Sequence, residues 1–194
     1  TPALLALDPS ALHVLGIHKP PGNQLSTTII TINHAKPITI ATQNVGGLKL
    51  ESERGRGPKL AAIRRLVNKH TDFLILTETR VDVCAVKKIK LKWGLKPTIF
   101  SLHRRPRGGV IVFSHPDHTL IPDSIRTSPM DGHIVAAVFE VATMPTIVVG
   151  VYGNSDSNDR ASLTIMEDLR QILRELTHTY QTQRIIMAGD FNVS

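Results

Sequence analysis

The sequence predicts a layered α/β domain, and three observations carry that expectation. Apolar runs of strand length recur after residue 37, two segments show helical periodicity, and polar or acidic residues gather where the apolar runs end. Before that point the chain reads differently. Pro2, Pro9, Pro20, Pro21 and Pro37, with Gly16 and Gly22, leave no room for a long helix or a central strand, so residues 1–37 are expected to form a linker or loosely packed arm. The β-formers Thr27 to Ile32 admit one short strand there, over residues 26–33.

The remaining elements follow in order, within a domain expected over 38–194. Apolar and polar side chains alternate over 38–44, as in a strand with one buried face, and Gly46-Gly47 ends the run. Pro58 suits the first helical position. Leu60, Ile63 and Val67 then share one helix face, with Lys59, Arg64, Arg65 and Lys69 on the other. Residues 72–77 form a short apolar strand whose end presents Glu78, and further strands are expected at 98–102, 109–114, 134–141 and 146–152. The clearest helix is 160–178, with Leu163, Met166, Leu169, Leu173 and Leu176 on one stripe and Glu167, Arg170, Arg174 and Glu175 outside it. A last strand, 184–188, runs into Gly189-Asp190-Phe191-Asn192.

Composition narrows the function. With 194 residues and one cysteine, neither an internal disulfide nor a zinc site of several thiolates can form. No apolar run reaches the roughly 18 residues of a membrane span, and no membrane partner is expected. The chain opens on Thr1 with no signal-peptide pattern and is expected to be a piece of something longer. Its 23 Lys/Arg outweigh its 16 Asp/Glu, and the excess is polarised. Residues 49–107 hold 16 basic and five acidic residues, whereas 108–194 hold five and ten. A basic half suits a polyanion such as nucleic acid. Lys87, Lys88, Lys90 and Lys92 read equally well as the solvated face of one element.

Asn44, Glu78, Tyr152, Asn154, Asp190 and Asn192 all fall at or just beyond predicted strand ends, where sites form in α/β folds. Glu78 is a hard oxygen donor of the kind Mg²⁺ takes with water and substrate phosphate. On spacing alone, a loop carboxylate at Glu78 and an Asx-type turn at Asp190-Asn192 remain the simpler reading.

Five blocks in order shift that weighting: Ala41-Thr42-Gln43-Asn44-Val45-Gly46-Gly47-Leu48, Leu76-Thr77-Glu78-Thr79-Arg80, Gly108-Gly109-Val110-Ile111-Val112, Val149-Gly150-Val151-Tyr152-Gly153-Asn154 and Met187-Ala188-Gly189-Asp190-Phe191-Asn192. Over 38–194 the sequence resembles the endonuclease/exonuclease/phosphatase superfamily, and within it the apurinic-endonuclease-like domains of non-LTR (LINE-type) retrotransposons. The resemblance implies a four-layered α/β sandwich of the DNase I-like type, missing its last strands. It implies a Mg²⁺- or Mn²⁺-dependent phosphodiesterase that nicks duplex DNA, within a nuclear polyprotein that also carries a reverse transcriptase.

The same resemblance assigns roles by position. Asn44 would orient the catalytic carboxylate and phosphate, Glu78 would bind the metal, and Tyr152 would contact the scissile phosphate. Asp190 would position or deprotonate the attacking water, and Asn192 would stabilise charge on the phosphate. Asn154 and the basic loop residues Arg104, Arg105 and Arg107 would meet the nucleic acid. Gly46 stands where the family often has an acidic residue or Asn, Gly153 alone separates Tyr152 from Asn154 where the family has Tyr-x-Pro-Asn, and the family's later aspartate and Ser-Asp-His motif have no counterpart before Ser194. The alternatives are a same-fold phosphatase acting on a phosphomonoester or lipid head group, and a non-catalytic fragment that binds nucleic acid. His115 and His118 read better as part of a turn around Pro116 than as a metal pair, and Cys84 as an inert thiol.

Overall fold

In the computed structural model, the structure describes residues 12–16, 27–32, 38–48, 58–89, 91–103, 108–130, 132–154 and 159–192. Strands β1 (Leu12–Gly16), β2 (Thr27–Ile32) and β3 (Ile38–Asn44) come first, followed by helix α1 (Pro58–Leu66) and strand β4 (Phe73–Thr77). Helix α2 (Val83–Lys88) leads to β5 (Lys96–Ser101), β6 (Val110–Ser114), β7 (Thr119–Leu120) and β8 (Arg126–Thr127). The chain ends in β9 (Ile134–Val141), β10 (Met144–Tyr152), α3 (Asp159–Tyr180) and β11 (Ile185–Asp190).

These strands make two sheets. One has the order β2-β3-β4-β6-β5, the other β1-β11-β10-β9-β7 with β8 also on β9. Strands β4, β6, β9, β10 and β11 are buried along nearly their whole length, which is why they read as apolar runs rather than clean alternations. Strand β3, expected from its alternation to bury one face, is buried on both, because it lies between the inter-sheet core and the helical layer. Between the sheets lies a core of Ile40, Phe73, Ile75, Val112, Ala137, Phe139, Val148 and Ile186. The sheets approach so closely at Gly150 that a Cβ there would come 2.6 Å from a Val110 methyl carbon.

Each outer sheet face is covered by helix. Leu60, Ile63 and Val67 of the α1 region and Val86 of α2 pack on Leu74, Leu76, Ile111 and Phe113. Ile165, Leu169, Ile172 and Leu176 of α3 pack on Ala136, Val138, Val149 and Met187. The result is the expected four-layered α/β sandwich. Leu169 and Leu176 bury as expected, but Leu163 and Met166 do not: they are 69% and 43% exposed, and the buried stripe runs through Ile165 and Ile172 instead.

Helix α2 and strand β1 were not anticipated. Asp82 caps α2, its carboxylate accepting from the Ala85 amide at 2.7 Å. Within 1–37, β2 lies antiparallel on β3 close to the anticipated strand, while β1 lies parallel on β11, from Leu12 opposite Ile185 to Gly16 opposite Gly189. One short stretch thus supplies an edge strand to each sheet.

Candidate active site

Parallel pairing of β3 with β4, and of β10 with β11, brings four strand C-termini to one pole of the sandwich. Those ends carry Asn44, Glu78, Tyr152 and Asp190. The two sheets are joined there by a side-chain hydrogen bond: Asn44 Nδ2 donates to Asp190 Oδ2 at 2.6 Å. Asn44 Oδ1 accepts from the Gly46 amide at 2.9 Å, which fixes the asparagine's orientation. Asp190 is 1% exposed, and its Oδ1 accepts from the Asn192 amide at 3.1 Å. Asn192, at φ 46°, turns its own Nδ2 onto the Gly153 carbonyl at 2.9 Å. Asparagine tolerates this left-handed conformation better than most residues.

Tyr152 is in register with Asp190. The adjacent Gly153 amide donates to the Asp190 carbonyl at 2.7 Å, and any Cβ at Gly153 would collide with the Phe191 backbone. Only glycine therefore lets the two strand ends close together. His133 is a site neighbour that the sequence reading missed. Its ring stacks on Tyr152 with centroids 5.8 Å apart, and its Nδ1 lies 2.7 Å from the Tyr152 carbonyl oxygen. A lone histidine after a glycine carries no motif, so only the fold reveals it.

Glu78 sits one residue past β4, buried, at φ 53°. A non-glycine residue there is strained, and such strain collects at functional sites. Its backbone continues the strand pairing, its carbonyl accepting from the Gly47 amide at 2.7 Å, while its carboxylate pairs with Arg80. The Thr77 and Thr79 hydroxyls flanking it are buried and accept or donate no hydrogen bond among the described residues. Lys59, also unanticipated, donates to the carbonyls of Val45 and Gly46 at 2.6 and 2.9 Å, tying α1 to the loop after Asn44.

Among the described residues, no three His, Cys, Asp or Glu side chains converge. The donor set nonetheless fits Mg²⁺ or Mn²⁺. Such ions keep several waters and need only one or two carboxylates beside substrate phosphate, and Glu78 is a buried hard oxygen donor held by a single arginine. Of the other candidates, Asn154 follows Gly153 directly, while Arg104, Arg105 and Arg107 lie outside the described residues. His118 is buried at the opposite pole, stacked on Phe73, with its Nε2 2.7 Å from Asp72 Oδ1. His115 pairs with Asp117 at 3.4 Å, and Cys84 is an exposed free thiol.

The sequence matches no family model and no curated protein. Solved structures do match the fold. The catalytic domain of human Nocturnin is 15% identical with a TM-score of 0.59, over 91% of this chain and 70% of its own. The 3'-5' exonuclease NExo from Neisseria meningitidis is 19% identical with a TM-score of 0.53, over 80% of this chain and 58% of its own. The endonuclease domain of TRAS1, a telomere-specific non-LTR retrotransposon, is 14% identical with a TM-score of 0.50, over 81% of this chain and 60% of its own. The chain thus spans well under two thirds of the last two. Among the described residues no helix is long and apolar enough to cross a membrane. Two packed sheets between helical layers, with strand ends converging on one polar pole, place the chain in the DNase I-like α/β sandwich fold.

Proposed function

We propose that this chain is the core of a divalent-metal-dependent phosphodiesterase that nicks duplex DNA, and that it works within the nuclear polyprotein of a non-LTR retrotransposon, alongside a reverse transcriptase. The observation that carries the reading is the Asn44–Asp190 hydrogen bond, which locks a buried carboxylate between two sheets at the pole where Glu78 also lies. Phosphodiester hydrolysis needs a fixed proton acceptor, compensation for phosphate charge, and donors for the phosphate oxygens.

Each residue has a part in that chemistry. Asp190, held on one oxygen by Asn44 and on the other by Asn192, accepts a proton from the attacking water. Asn192 and Tyr152 border the phosphate, and the stacked His133 fixes the Tyr152 ring. Glu78 would hold the ion, with Arg80 giving way as it binds. A divalent ion there supplies positive charge to a phosphate oxygen. Asn154 and the loop holding Arg104, Arg105 and Arg107 would meet the flanking backbone.

Nicking of supercoiled plasmid in Mg²⁺ tests the reading. Asp190→Ala is expected to lower the rate about 10²- to 10⁴-fold, as loss of a general base does. Glu78→Gln is expected to raise the Mg²⁺ needed for half-maximal rate by roughly 10-fold or more, at least what loss of an outer-shell partner costs. Undiminished nicking by Asp190→Ala would sink the assignment. Hydrolysis of an inositol phosphate in place of DNA would move it to the phosphatase.

A further inference from the structure

At the pole opposite Asn44 and Asp190, the structure gathers a second set of chemically suited groups. Strands β3, β4 and β5 begin there and β6 ends there. Lys96 opens β5 opposite Ser114, and just before it the chain displays Trp93, 50% exposed at φ 63°. The half-exposed ring offers a stacking face to solvent. Gly94 packs so closely on Pro116 that a Cβ would come 2.9 Å from its ring, so the Trp93 turn abuts the 115–118 loop.

Beside that loop is a cleft of about 430 Å³ bordered by Lys69, His70 and His115. Its two carboxylates already have partners. Asp72 accepts from the Thr39 amide at 2.7 Å and lies equally close to the buried His118 ring, and Asp117 faces His115. Lys69, Lys92 and Lys96 are exposed and form no ion pair among the described residues.

We propose that this pole is a second binding site, for single-stranded nucleic acid: a base stacks on Trp93, and its phosphates lie against Lys92 and Lys96 and run on toward Lys69 at the rim of the cleft. An exposed ring flanked by unpaired cations is the recognition chemistry of single strands, since every base has a stacking face and every nucleotide a phosphate. A duplex keeps its bases stacked internally and offers only phosphates. The site does not depend on hydrolysis at the other pole.

Trp93 is the chain's one tryptophan, so its fluorescence reports this site alone. Titration with oligo(dT) is expected to quench it saturably, with log affinity falling by about 0.7 per phosphate contact against log salt. Lys92→Glu with Lys96→Glu should weaken binding about tenfold or more, and Lys69→Glu alone should weaken it less. Trp93→Ala, followed by anisotropy of a labelled oligonucleotide, should lose roughly 5- to 100-fold. Binding of oligo(dT) without quenching, affinity indifferent to the charge reversals, quenching by duplex or polyphosphate as strong as by oligo(dT), or no binding at all would each overturn the site. Nicking without quenching would overturn only this site, and quenching without nicking only the hydrolase.

Discussion

The two helical layers solve one packing problem and present opposite surfaces. Over the five-stranded sheet, α1, α2 and the loops between them bury Leu60, Ile63, Val67, Val86 and Ile89. Over the other sheet, α3 buries Ile165, Leu169, Ile172 and Leu176. Their apolar faces are interchangeable in kind. The described residues of 58–96 carry nine Lys/Arg against three Asp/Glu, while residues 160–180 of α3 carry three against three. Burial dictates the inner stripe of any covering helix but leaves the outer charge open. The basic layer is therefore not a requirement of the fold. Under the proposed function, its sign suits a polyanion such as DNA.

The largest effects should show where the layers are alike. Leu60→Ala and Leu176→Ala each empty a buried position, 1% and 0% exposed, and each should lower unfolding free energy by about 2–5 kcal/mol in urea denaturation. A large loss on one side only would break the parallel and show that one helix layer is dispensable to the core. An intermediate effect should show where they differ. Lys87→Glu with Lys88→Glu in α2 should weaken duplex DNA binding about tenfold and reduce the salt slope by about two, whereas Arg170→Glu with Arg174→Glu in α3 should leave both within twofold. Equal losses would mean net charge, not the placement of charge, governs association.

The smallest effect belongs to Asp168 in α3. Burial, aided by the neighbouring Glu167, raises its carboxyl pKa above the ordinary value of 3.8, and its Oδ2 has no hydrogen-bond partner among the described residues. The folded chain therefore holds this proton more tightly than the unfolded one, so stability falls as pH rises from the ordinary value through the raised one. Asp168→Asn should raise Tm by about 1–2 °C at neutral pH and by nothing once the pH is well below 3.8, as followed by circular dichroism.

Much of this architecture was legible in the sequence because it rests on burial. Phe73 to Leu76, Ile134 to Val141 and Ile185 to Ala188 are apolar enough to specify strands without any partner in view. Helix α2 was not legible, since six residues with one buried side chain, Val86, make no periodicity. The face of α3 was misjudged because Leu163 and Met166 compete with Ile165 and Ile172 for the stripe, and only packing against Ala136, Val138, Val149 and Met187 decides which pair is covered. At the candidate site, strand ends could be read, but contacts could not. Asn44 and Asp190 are 146 positions apart, and nothing local to either announces a 2.6 Å bond. The left-handed backbone at Glu78 and the His133–Tyr152 stack are likewise products of tertiary closure.

The placement of β1 bears on how the chain reaches this state. Thr27 finds Gln43 only 16 residues away, so β2 and β3 can pair as soon as both have been synthesised. Leu12 must wait for Ile185, 173 residues later, before its edge of the other sheet exists. Ribosomal synthesis proceeds at about 5–20 residues per second, so β1 spends on the order of ten seconds or more as an unpaired strand. Closing so long a loop is entropically expensive and slows folding. Strand β11, which carries Asp190, thus completes its pairing only through this long-range contact, and the carboxylate at the pole is set in place later than the β2–β3 pair.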